Sequence, residues 1–283
     1  MTETSSAVPY KITHRYSDRV VYQAKKATTA ADALLEAVAA KADLHEAYLP
    51  DVIMPYGASL VGASLVGARL DGARLDGARL VGARLDGASL VGARLDGASL
   101  VGASLVGASL VGASLDGASL DGARLVGARL DGARLDGARL VGASLVGASL
   151  VGASLVGASL DGASLDGASL VGASLVGARL DGASLGGDFI AASSDFAFAG
   201  PVGNVRRTVY AFRAKAGKRT VIVYRCGCFI GTERDYLHRI VIRYGKGGEF
   251  MNGARWLAEC KAALAACKAM AKTWPKMAKA VAK

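Results

Sequence analysis

From Leu60 to Leu185 a leucine occupies every fifth position, 26 in all. Alanine stands two residues before each leucine and Ser or Arg directly before it. Val or Asp follows most of them, then Gly, giving pentads such as ASLVG and ARLDG. An α-helix cannot use this spacing: at about 100° per residue, leucines five apart step round by about 140° and never form a stripe. A flat strand fails too, because an offset of five sends successive leucines to opposite faces. A disordered elastin-like repeat would carry proline within the repeat, and this one has none. The pattern predicts a solenoid whose chain turns a corner once per pentad. Leu and the small Ala point inward, while Ser/Arg and Val/Asp point outward. Gly supplies the positive φ of a type II corner. Four corners close a square coil of about twenty residues, and coils stacked about 4.8 Å apart give a rod about 31 Å long.

The beat starts before Leu60. Leu44, Leu49 and Met54 keep it, and the six-residue step to Leu60 predicts a one-residue insertion at Pro55-Tyr56. Upstream, Tyr10 to Lys26 alternates loosely about Ser17-Asp18 and reads as a hairpin. Thr29 with Asp32 three residues on opens a helix to about Ala40, with Leu34, Leu35 and Val38 inward. Hairpin and helix are expected over the first coil, covering its unpaired backbone edge. Downstream the repeat decays through Gly186-Gly187, with Ile190 and Phe196 as candidates to fill the last coil, and Gly200-Pro201 marks a boundary. Strands are expected over 207–213 and 220–228 with a turn between, then a helix opened by Thr232. The last helix carries a seam of Leu257, Cys260, Leu264, Cys267, Ala271 and Trp274 at alternating steps of three and four.

These pentads resemble the pentapeptide-repeat family, whose pattern is A(D/N)LXX; Ala42-Asp43-Leu44 matches it literally and Ala47-Tyr48-Leu49 follows in phase. The resemblance implies an all-β solenoid, a right-handed quadrilateral β-helix, here with α+β caps at both ends. The expected division is an N-terminal hairpin-helix cap over 1–41, the β-helix over 42–199 and a basic α+β module over 200–283. Both flanks look similar to those of uncharacterised family members from bacteria and their phages. The resemblance also brings in the family's quinolone-resistance members, whose acidic surface looks like DNA and occupies topoisomerase.

Charge bears on that expectation. Residues 1–56 hold 6 basic and 7 acidic side chains, and residues 57–187 hold 10 and 11. Residues 188–283 hold 18 and 6, a net of +12. DNA mimicry needs uncompensated negative charge. Asp76, Asp96, Asp116 and Asp136 do stack at twenty-residue spacing, yet seven of the ten rod arginines share a pentad with an Asp. Two belts, Gly97 to Leu115 and Val141 to Leu160, carry no charge; they read as isolated valines, which are ordinary on β-faces, with a sticky girdle for a partner as the alternative.

Catalytic chemistry is missing. His14, His45 and His238 have no ligand or triad spacing, and no phosphate-cradling Gly-rich motif occurs. Cys226 and Cys228 with Cys260 and Cys267 match structural zinc spacings poorly and read as small buried hydrophobes. No apolar run is long enough to span a membrane, and Met1 to Pro9 lacks a secretory pattern, so cytoplasm is the default location. The expectation is a non-enzymatic scaffold with no catalytic residue, cofactor or metal: a rigid rod presenting a basic module to a protein partner or to a second copy. Arg206, Arg207, Lys218, Arg219, Lys261, Lys268, Lys272 and Lys276 are the candidate partner contacts. Leu257, Leu264 and Trp274 are the candidates for self-association. The alternatives are nucleic-acid binding through the same basic third and gyrase inhibition by mimicry.

Overall fold

A computed structural model describes residues 8–170, 172–186, 189–202, 207–216, 219–226 and 229–231, and helical backbone at 261–262, 264–265 and 267–269. The repeat is a four-sided β-helix. Each Ser or Arg that precedes a leucine forms a parallel bridge with the residue twenty positions on, from Ser59↔Arg79 to Ser164↔Ser184. Before the insertion the step is 21, as in Asp43↔Ser64, Tyr48↔Arg69 and Ile53↔Arg74. Pro55-Tyr56 therefore adds its residue to the first coil alone, and every later coil is commensurate.

The pentad chemistry explains the coil. Leu115 and Ala118, like the other repeat leucines and alanines, are fully or almost fully buried, forming one apolar column along the axis. At the corner between them, Ala118 donates to the Leu115 carbonyl at 3.0 Å and Gly117 takes φ +64°. Positive φ at the third residue of a four-residue turn is the type II geometry, which glycine adopts without a Cβ clash. The first coil is less regular, with Glu46 (φ +54°) and Asp51 (φ +53°) in the glycine position. Their side chains lie over Gly67 and Gly72 of the next coil.

A hairpin of β1 (Lys11–His14) and β2 (Ser17–Gln23) joins the rod through β3 (Ala47–Tyr48), giving the sheet order β2-β1-β3. The pairing is antiparallel, with Thr13 opposite Tyr48, and Tyr48 continues onto Arg69. The edge of one rod face is thus extended by the hairpin. The hairpin turns at Arg15-Tyr16, two residues earlier than Ser17-Asp18. The rod fixes that position: Arg15 N–H donates to the Glu46 carbonyl at 2.7 Å, and the His14 ring meets the Glu46 carboxylate at 2.5 Å. Helix α1 (Ala30–Ala39) begins at Thr29, whose hydroxyl accepts from Asp32 N–H at 3.1 Å. It buries Ala33, Leu34 and Ala37 on the core, with Leu35 and Val38 half-buried beside them.

At the other end the last coil opens into an antiparallel meander. Its strands are β4 (Ser184–Gly186), β5 (Phe189–Val202), β6 (Arg207–Ala216), β7 (Arg219–Cys226) and β8 (Phe229–Gly231). Ser184 bridges Ser164 in parallel on one side and Ile190 of β5 antiparallel on the other, so the meander grows from one face of the rod. Ile190 and Phe196 lie in a strand of that sheet rather than in a further coil. Gly200-Pro201 falls inside β5, at a register shift between Ala199 and Val202 where a residue without N–H is tolerated. The helix expected from Thr232 lies outside the described residues.

Candidate interaction surface

In the interior coils four of the five amides of a pentad are satisfied by backbone carbonyls. Around Leu110, Ser109 donates back to Ala88, Leu110 donates on to Arg129, Gly112 to Asp131, and Ala113 across the corner. The amide of the first corner residue, Val or Asp, has no carbonyl partner. Aspartate supplies one. Among the described residues an Asp Oδ1 accepts from the amide twenty residues on in eight places, including Val91 N–H to Asp71 at 3.1 Å and Val156 N–H to Asp136 at 3.0 Å. The same carboxylates accept from the side chain eighteen residues on. Ser104 donates to Asp86, Ser149 to Asp131 and Ser154 to Asp136, and Arg139 and Arg179 reach Asp121 and Asp161 at 2.7 and 2.8 Å.

Pairing of Arg and Asp within one pentad is therefore only part of the arrangement. Arg69–Asp71, Arg74–Asp76, Arg94–Asp96 and Arg129–Asp131 pair so, while Arg134 and Arg179 turn to Asp116 and Asp161 of the neighbouring coil. At Asp71, burial pushes the carboxyl upward, but the Ser89 hydroxyl, Arg69 and the Val91 amide together hold it below the usual aspartate value. Along the stacked column the bonds continue: Asp116 N–H donates to Asp96, and Asp136 N–H to Asp116. Asp76 differs. Its Oδ1 is buried without a hydrogen bond, although Arg94 Nε lies 3.4 Å away.

Grouped by twenty-residue phase, the four faces are close to neutral. The phase of Arg74 holds three Arg and four Asp from Arg74 to Asp136, and the other three phases balance. In the uncharged belt Val141, Val146, Val151 and Val156 are 37–41% exposed, one at each corner of a coil.

The sequence-predicted contacts are distributed as follows. Arg207 pairs in register with Val202, and Arg219 with Ala216. Lys261 is exposed and Lys268 half-buried on the helical stretch. Leu264 and Cys267 on that stretch are buried, and burial raises the Cys267 thiol to about 11, keeping it protonated. Arg206, Lys218, Leu257, Lys272, Trp274 and Lys276 lie outside the described residues. Among the described residues no cluster of His, Cys, Asp and Glu is arranged to hold a metal, and no helix is long and apolar enough to cross a membrane. Local pattern does not reveal the coil-to-coil role of aspartate, because its partners lie eighteen and twenty residues away. That spacing is readable once the coil length is known.

The family model for pentapeptide repeats matches the chain over 56–90, 88–127, 113–150, 123–161 and 148–187. Among solved structures, the chain is similar to HetL, a pentapeptide repeat protein involved in heterocyst differentiation regulation from the cyanobacterium Nostoc. The two are 29% identical over 54% of this chain and 94% of that one, with a TM-score of 0.37. A pentapeptide repeat protein of the Arabidopsis thaliana thylakoid lumen is 32% identical over 36% of this chain and 68% of its own, with a TM-score of 0.24. QnrB1, a plasmid-mediated fluoroquinolone resistance protein, is 20% identical over 46% and 70%, with a TM-score of 0.33. No protein of curated function matches.

Proposed function

The chain belongs to the pentapeptide-repeat family, with that family's right-handed quadrilateral β-helix, and from this premise we propose that it is a non-enzymatic interaction scaffold. The rod carries a basic C-terminal third, and that third meets a protein partner or a second copy. One observation carries the reading: most of the rod's carboxylates are engaged by the next coil, and its faces are close to neutral. A surface so balanced offers little long-range field, whereas 188–283 carries a net charge of +12.

The test is affinity capture with full-length protein, in parallel with light scattering for oligomeric state. Charge reversal at Lys261, Lys268, Lys272 and Lys276 should remove the partner or dissociate the oligomer. A monomer that retrieves nothing, or a partner retained by the reversed chain, contradicts the proposal.

The same +12 supports a second reading, nucleic-acid binding. It requires salt-sensitive retention of DNA or RNA that the same reversal abolishes. Mimicry of DNA has less support. The column from Asp76 to Asp136 is crossed by Arg74, Arg94 and Arg134, so gyrase supercoiling is expected to be unchanged by added protein.

A further inference from the structure

Among the described residues seven of the ten rod arginines form ion pairs, and Arg79, Arg84 and Arg124 do not. Their exception follows a rule. Arg134, Arg139 and Arg179 reach an aspartate eighteen residues earlier, at Asp116, Asp121 and Asp161. The residues eighteen before Arg79, Arg84 and Arg124 are Val61, Val66 and Val106. The corner amides that such an aspartate would receive, twenty residues on, belong to Val81, Asp86 and Val126. None has an acceptor among the described residues. The one acid in the pentad of Arg84 is Asp86, and its carboxylate is taken by the Ser104 hydroxyl and the Val106 amide. Each site thus presents the guanidinium and amide that hold an aspartate elsewhere on the rod, with valine in the aspartate's place. All three arginines are exposed.

We infer that these three sites receive carboxylates from outside: the rod binds an acidic peptide segment through Arg79, Arg84 and Arg124. The donor pair identifies the ligand, because the same pair elsewhere already binds carboxylate, at 3.1 Å from the Val141 amide and 2.7 Å from Arg139 for Asp121. Arg79 and Arg84 stand on neighbouring faces one pentad apart. Arg124 lies on the face of Arg84 two coils further, about 10 Å along the axis, the reach of about three extended residues. A single exposed pair is weak, so affinity depends on several acids of one segment binding together. The inference is independent of the basic C-terminal third and stands or falls separately from it.

The experiment titrates full-length protein into a fluorescein-labelled oligoglutamate peptide at low salt, read by anisotropy. Filling the sites in cis, with V61D, V66D and V106D together, should weaken binding about tenfold or more. Asp already occupies the equivalent corner in other coils, so the fold should accept it. The charge-matched set V141D, V146D and V151D adds the same three acids beside Ser159, Ser164 and Ser169, and should change affinity by less than about threefold. A second comparison removes Arg instead: R79Q, R84Q and R124Q together should match the filled variant, while R69Q, R129Q and R139Q together should bind almost as wild type. Circular dichroism and unfolding midpoints verify each fold. Equal losses in the two aspartate sets, or in the two arginine sets, overturn the inference, since binding would then follow net charge. Undetectable binding by wild type overturns it too, as does preference of the same arginines for an oligonucleotide over the peptide.

Discussion

Leucine and glycine do different work within a pentad. Leu110 is fully buried and packs along the axis; Leu110→Ala should lower stability by about 2–5 kcal/mol through lost burial and the cavity left behind. Gly117 has open space where a Cβ would project but sits at φ +64°. Gly117→Ala should therefore cost about 1–2 kcal/mol, from backbone strain alone. Urea unfolding of the two variants separates the mechanisms, and a larger loss at Gly117 than at Leu110 would reverse the assignment. Both roles are legible in the sequence, because a five-residue period admits few other uses of Leu and Gly. The role of aspartate is not, since Asp86 and the Val106 amide meet only after a full coil has closed.

Among the elements, the hairpin and α1 show where local pattern stops being sufficient. Thr29 and Asp32 place the start of α1 correctly because capping is a short-range matter. The hairpin turn shifts to Arg15-Tyr16 because its position is set by β3 and Glu46, more than thirty residues away in the chain. The Gly200-Pro201 pair misleads for a related reason: in β5 it sits at a shift of register, not at a boundary. Glu36 of α1 ties this region together. Its carboxylate accepts from the amides of Lys25 at 2.6 Å and of Lys26 and Ala27 at 3.2 Å, and from the Tyr22 hydroxyl. The Lys25 amide bond is the largest influence holding the Glu36 carboxyl below its usual value, against a smaller upward push from burial. A lowered value means that the stabilisation is present above the ordinary glutamate range, about 4, and is lost as pH falls through the folded value. Protection factors over 20–40, with exchange rates corrected for their intrinsic pH dependence, should accordingly fall below about pH 4 in wild type. In Glu36→Gln they should already be low at neutral pH, and identical profiles would contradict the clamp.

For the whole molecule, length and rotational phase are separable. Twenty residues make one coil and five make one side, so removing 98–117 deletes a complete coil. The rod should shorten by about 4.8 Å with the meander on the same face. Removing 98–102 alone should move the meander to the adjacent face. Spin labels at Ser17 and Ser184 distinguish a shortening from a quarter turn, and equal distance distributions in the two deletions would rule out indexing by side. The period, the single insertion and the buried leucine column are all readable from the chain. The meander growing from Ser184 is not, because nothing in the pentads marks which face the last coil opens from.

The most direct test of coil-to-coil clamping by aspartate replaces Asp96, Asp116 and Asp136, first by alanine and then by asparagine, and measures unfolding free energy. Alanine removes the acceptors of the Asp116, Asp136 and Val156 amides and should cost about 1 kcal/mol at each position. Asparagine keeps an oxygen in place and should cost less. If the alanine variant unfolds at the wild-type midpoint, the carboxylates do not hold the coils together and are free for a partner.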